Sequence, residues 1–285
     1  SNQATVVRDN DETQLALKIL GQSIGVITLG NKIVFIEGEN ASLDKDVYSR
    51  LIKNRHPKIV LVPAGGKTNL INFGSIIDSL LSKSIWGVDF FILADKDASP
   101  HDTASSSNSK FRCLNRYHLE NYFLDASVIA SVFEDMEDEN HWLRNPMHIE
   151  ERLRTIAASV LPYAASLRVH NRLRYDGGNI DIMVKGCDKL DKICLMDSIA
   201  AKAAEERIRI IGVLNEGVVR KLVKDEYESL ESELKSGDQW KLSIPGKIIL
   251  RQFCNQVDFD YAKFKRIYIN KAEKSANNPF ADIIG

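Results

Sequence analysis

Apolar positions change their spacing along this chain. Between Lys32 and Ala94 they come in short uninterrupted runs, and beyond Val128 they recur every three or four residues. Lys32–Ile36 is one such run, rich in β-branched and aromatic residues and closed by Glu37-Gly38, which predicts a buried strand. Lys58–Val62, closed by Pro63-Ala64-Gly65-Gly66, predicts a second strand, and Val88–Ala94, closed by Asp95-Lys96-Asp97, a third. Between them Asp44–Asn54 carries Val47, Leu51 and Ile52 at helical spacing. Thr68–Ser84 does the same with Leu70, Phe73, Ile77 and Leu81 among others. Strand–helix–strand–helix–strand with continuous apolar runs is the pattern of a mainly parallel sheet covered on both faces. Residues 1–30 read as a polar lead-in with a short helical stretch (Thr13–Gly21) and an extended piece (Ile24–Leu29). Ser99–Lys110, Ser-rich with Pro100, reads as a loop beside the sheet's C-terminal edge. From Val128 onward helices are expected at Ile149–Leu161, Leu195–Val213, Val218–Leu234, Gly246–Gln256 and Tyr261–Ala272, with no further strand. The expected organisation is a lead-in (1–30), an α/β domain (31–125) and a mainly helical region (126–285).

Composition narrows the class. Of 285 residues, 44% are hydrophobic and 27% charged, the balance of a soluble globular protein rather than a disordered tail or a collagen-like rod. No apolar run approaches the roughly 18 residues of a membrane span, so no membrane association is expected. Cys113, Cys187, Cys194 and Cys254 form no CxxC pair, and Cys187 and Cys194 have no histidine near them. That sparse usage implies a reducing, cytoplasmic setting without structural zinc. The chain opens Ser1-Asn2 rather than Met, the form a protease leaves on removing a tag, so it is expected to be a piece of something longer. Lys+Arg number 38 against 39 Asp+Glu, a net charge of −1 that excludes a nonspecific coat on nucleic acid. Nucleic-acid contact would need a local patch.

One such patch is present. Arg152, Arg154, Arg168, Arg172 and Arg174 fall in a stretch with no acidic residue, near Tyr163 and Tyr175. Arginines so placed contact phosphates, and tyrosines stack on unpaired bases; the plain alternative is a solvated helix face. Gly65-Gly66-Lys67-Thr68 invites comparison with a phosphate-binding P-loop, but Leu61 stands where that motif needs glycine. Either Gly66 and Lys67 meet a phosphate at a helix start, or they form a tight turn with an exposed lysine. Glu134–Glu139 reads as a solvated acidic loop.

Acidic residues close two of the strands. In open α/β sheets the functional crevice lies outside the strands' carboxyl ends, so Glu37 and the Asp95/Asp97 pair are expected to converge there. Carboxylates gathered in one place repel unless a hard cation neutralises them, which points to Mg²⁺ or Mn²⁺. The alternative is that they are solvated turn formers.

The segments Ile33-Val34-Phe35-Ile36-Glu37-Gly38 and Phe90-Phe91-Ile92-Leu93-Ala94-Asp95-Lys96-Asp97 resemble the two motifs of the TOPRIM domain. Arg116–Leu124, containing Glu120-Asn121-Tyr122, is similar to TOPRIM proteins that accompany ABC-type ATPases in anti-phage defence, the OLD-family nucleases and the TOPRIM subunit of PARIS-type systems. The resemblance covers residues 31–125, and the helical remainder matches loosely through Ile244-Pro245-Gly246-Lys247. It implies a TOPRIM fold and Mg²⁺-dependent cleavage of DNA or RNA. Glu37 would be the catalytic glutamate, Asp95 and Asp97 the metal pair, and Glu120 a further ligand; Lys67, read from the glycine loop itself, is expected to steady the developing charge. The family often places an Asp four residues after its Glu. Here Asp44 comes seven after, with Glu39 or Asp46 as substitutes. The resemblance further implies an ABC-type ATPase as partner or fused domain, and cutting both strands of a duplex favours a homodimer. The competing class is a non-catalytic module that docks to such an ATPase or to nucleic acid.

Overall fold

A computed structural model describes residues 32–37, 43–52, 55–65, 89–96, 110–178, 184 and 191–284. The elements expected at Thr13–Gly21, Ile24–Leu29 and Thr68–Ser84, and most of the loop at 99–110, lie outside the described residues.

The strands are β1 (Lys32–Ile36), β2 (Ile59–Pro63), β3 (Asp89–Ala94) and β4 (Phe111–Cys113). They form one four-stranded sheet, all parallel, in the order β2-β1-β3-β4. β1 lies in the interior because its run is apolar on both faces: Ile33, Phe35 and Ile36 are fully buried. Phe35 stacks on Phe90 of β3 with ring centroids 6.2 Å apart. Helix α1 (Leu43–Ile52) buries Val47 and Leu51 of the expected positions together with Tyr48, while Ile52 is half-buried. β4 is an addition to the expected elements. Its three residues, with Arg112 exposed between two sheltered neighbours, are too few to show a strand period. Pairing with Ile92–Ala94 creates the strand.

Beyond the sheet come a 3₁₀ turn (Leu119–Phe123), α2 (Ala126–Phe133), α3 (Pro146–Gly177), α4 (Lys192–Val213), α5 (Glu216–Lys235), α6 (Trp240–Ser243), α7 (Gly246–Gln256), α8 (Tyr261–Ala272) and α9 (Ala281–Ile284). The helical periodicities therefore hold, and α3 extends well past the expected Leu161, through Pro162. Helix starts are capped as their sequences direct: the Asp125 carboxylate accepts the Ser127 and Val128 amides, and Asp260 accepts that of Lys263.

The chain divides into two compact units. Among the described residues, the first unit takes those within 32–96, 110–156 and 245–284, and the second those within 157–244. Within the first, α7, α8 and α9 are brought back in sequence terms by an aromatic core. Phe123 of the 3₁₀ turn meets Tyr268 at 5.0 Å and Phe280 at 5.1 Å, and Phe264 meets Phe133 and Phe253. Such pairs contribute beyond their buried area. Within the second unit, α4 has no buried residue among those described, and Ile193, Met196 and Ile208 stand exposed. Among the described residues no helix is long and apolar enough to cross a membrane.

Candidate active site

The register of the sheet sets the site. Ile36 pairs with Leu93, so Glu37 leaves β1 level with the end of β3, where Asp95 follows Ala94. Both border one cavity of about 170 Å³, together with Asp44 and Tyr48 of α1, Leu93, Leu119, and Lys247 from the first turn of α7. Three of the expected carboxylates thus share a cavity at the carboxyl edge of a parallel sheet. Asp97, Gly66 and Lys67 lie outside the described residues. Gly65 has φ of +84°, so the chain leaves β2 through a turn that favours glycine.

Glu120 does not line this cavity. It is buried, and its Oε1 accepts hydrogen bonds from Lys265 Nζ at 2.9 Å and Tyr261 Oη at 3.0 Å. Lys265 is itself only 2% exposed and reaches Asp44 Oδ1 at 3.7 Å. Burial pushes the Glu120 carboxyl up, but the charge and hydrogen bond of Lys265, with Lys247 adding to them, hold it below the ordinary glutamate value. Asp44 moves the other way. Burial first, then the Glu120 charge, raises it against the pull of Lys265 and Lys247. Tyr48 is raised well above the usual tyrosine value by burial and then by Asp95, so its hydroxyl keeps its proton.

Lys247, Tyr48 and Lys265 were not among the residues expected at the site. The Pro245-Gly246-Lys247 run was the available signal for the first. Gly246 is packed so closely that an added Cβ would meet Asn121 Oδ1 at 2.5 Å, and its amide donates to that same oxygen at 3.0 Å. This contact seats the start of α7, and so Lys247, against the 3₁₀ turn.

Four of the five arginines of the stretch have partners among the described residues. Arg152 donates to Gln256 Oε1 at 2.7 Å, and Arg154 pairs with Glu150 at 3.0 Å. In the second unit Arg168 is bound by Glu226 and Glu233 of α5, at 3.5 and 3.2 Å. Arg172 lies 3.6 Å from Glu226 and 4.0 Å from Asp176, and Arg174 is exposed. The stretch itself lacks acids, but Glu150 and Asp176 flank it on α3, and the packing of α5 supplies Glu226 and Glu233. The five side chains are also divided between the two units, Arg152 and Arg154 in the first and the rest in the second.

Among the described residues there is no group of three or more His, Cys, Asp or Glu that could hold a metal ion. Mg²⁺, however, keeps several waters and is held through one or two carboxylates plus substrate phosphates. Glu37 and Asp95, two hard oxygen donors on adjacent strands facing one cavity, fit that requirement. Compared with known proteins, the chain matches no family model and no curated protein.

Proposed function

We propose that this chain is a metal-dependent nuclease of the TOPRIM type, hydrolysing phosphodiester bonds of DNA or RNA with Mg²⁺, for which Mn²⁺ substitutes. The observation that carries this reading is the meeting of Glu37, Asp44 and Asp95 with Lys247 around one small cavity at the carboxyl edge of the parallel sheet. Glu37 and Asp95, with Asp97 beyond the described residues, would hold the ion. Bound there, it would polarise a phosphoryl oxygen and lower the pKa of a water. The other tasks fall to the chain. Alternatively to holding the ion, Glu37 would take the proton of the attacking water as general base. The Lys247 ammonium offsets negative charge growing on the phosphoryl oxygens, and Tyr48, protonated at neutral pH, donates a hydrogen bond toward them. Lys67, outside the described residues, is expected to add a second cation.

By the resemblance, the setting is a cytoplasmic anti-phage system in which an ABC-type ATPase, as partner or fused domain, releases the cut, with a homodimer to sever both strands. The second reading, a docking module that cuts nothing, is favoured by the apolar side chains that α4 exposes, Ile193 and Ile208 at 72% each. A nuclease assay on DNA and structured RNA, in Mg²⁺ or Mn²⁺, with and without such an ATPase, separates the two. Glu37→Ala is expected to lower the cleavage rate about 10²- to 10⁴-fold. Equal behaviour of wild type and Glu37→Ala on every substrate would favour the docking module.

A further inference from the structure

Two carboxylates expected as metal ligands already have a cation. Lys265 Nζ stands 2.9 Å from Glu120 Oε1 and 3.7 Å from Asp44 Oδ1, on a side chain 2% exposed. Tyr261 donates to the same Glu120 oxygen. The ammonium also lies 5.4 Å from the Phe123 ring centre and 5.0 Å from that of Tyr261, and aromatic faces favour a fixed cation there. A lysine is seldom this buried unless it is paired, and here its pairs are Glu120 and Asp44, two of the carboxylates expected as metal ligands.

We infer that Lys265 is a permanent internal cation standing in for a second divalent ion between Asp44 and Glu120, so that the site takes one divalent ion, at Glu37 and Asp95, rather than two. This rests on the metal-dependent reading above. A lysine tethered by α8 cannot be lost to chelators or dilution, so the Asp44–Glu120 side of the site would stay assembled when the divalent ion is absent.

Counting Mn²⁺ on the full chain by calorimetry or electron paramagnetic resonance tests it. One equivalent per chain is expected for wild type, one for Lys265→Arg and two for Lys265→Met. Two equivalents on wild type would overturn the inference while leaving the metal reading intact. None on wild type would overturn the metal reading itself, and the inference with it. One equivalent on a folded Lys265→Met would also overturn the inference. Because Lys265→Met strands a buried carboxylate, its thermal unfolding should be followed with and without Mn²⁺. The inference requires a larger upward shift in Tm on adding Mn²⁺ for the variant than for wild type. An equal shift, or a variant that fails to fold even in Mn²⁺, would sink it.

Discussion

Glu120 and Asp44 share the Lys265 ammonium yet respond to it in opposite directions, because contact and neighbours differ. Glu120 touches Nζ at hydrogen-bond distance, while Asp44 is farther from it and feels Glu120 as a like charge. The linkage signs follow. Glu120, held below its ordinary value, contributes stability that is present above that value and lost as pH falls through the folded pKa. Asp44, held above its ordinary value, binds its proton longer in the folded state, so its carboxylate costs stability as pH rises. In metal-free buffer, the Tm of Asp44→Asn relative to wild type should therefore rise between about pH 3 and pH 7, and that of Glu120→Gln should fall. Drift of both variants in one direction would contradict the opposed shifts. The Cys254 thiol is a different residue-scale case. Burial first, and then Asp260, push it up to about 12, so it is inert at neutral pH.

At the scale of elements, the approach of α7 to the 3₁₀ turn (Leu119–Phe123) determines whether Lys247 reaches the carboxylates. Asn121 joins the two elements. Its side-chain oxygen accepts the His118 amide on its own turn, at 2.9 Å, and the Gly246 amide across the interface. A methyl group at Gly246 has no space without moving one element away from the other. Gly246→Ala should cost about 1–3 kcal/mol in chemical denaturation, the usual cost of overpacking. Its cleavage rate should fall further than the loss of folded protein explains, since Lys247 moves with the helix. β4 shows the same dependence on neighbours, becoming a strand only because β3 offers it an edge.

On the scale of the whole molecule, a net charge of −1 conceals two unlike arrangements. In the first unit, carboxylates crowd a cavity with two lysines against them. In the second, Arg168 and Arg172 are answered by Glu226, Glu233 and Asp176. Arg168 is 20% exposed and holds α3 to α5 through both glutamates, so Arg168→Ala should destabilise the second unit by about 1–3 kcal/mol, measured by thermal unfolding. Phosphates would have to displace those carboxylates, so the variant's affinity for nucleic acid and its salt dependence should change little. A salt slope shallower by about one unit would instead mark Arg168 as a phosphate contact.

Several features of this protein were decided along the chain itself. The runs at Lys32–Ile36 and Val88–Ala94, apolar on every residue facing the core, can only be satisfied by a sheet covered on both sides, and Glu37 and Asp95 follow from being next in sequence. Local periodicity likewise determined α7 and α8, whose bounds match the pattern. Charge pairing was not local. Lys265 sits in a helix that also carries the exposed Lys263 and the half-buried Lys271, and nothing adjacent to it distinguishes a buried ammonium from a solvated one. The arginines of α3 read as a basic stripe because half of the acids that neutralise them, Glu226 and Glu233, belong to another helix and the other two, Glu150 and Asp176, flank the stretch. Burial and Coulomb interactions depend on distance in space, and only the tertiary structure brought Lys247 and Lys265 to the acids of the sheet edge and the 3₁₀ turn, and Glu226 and Glu233 to Arg168.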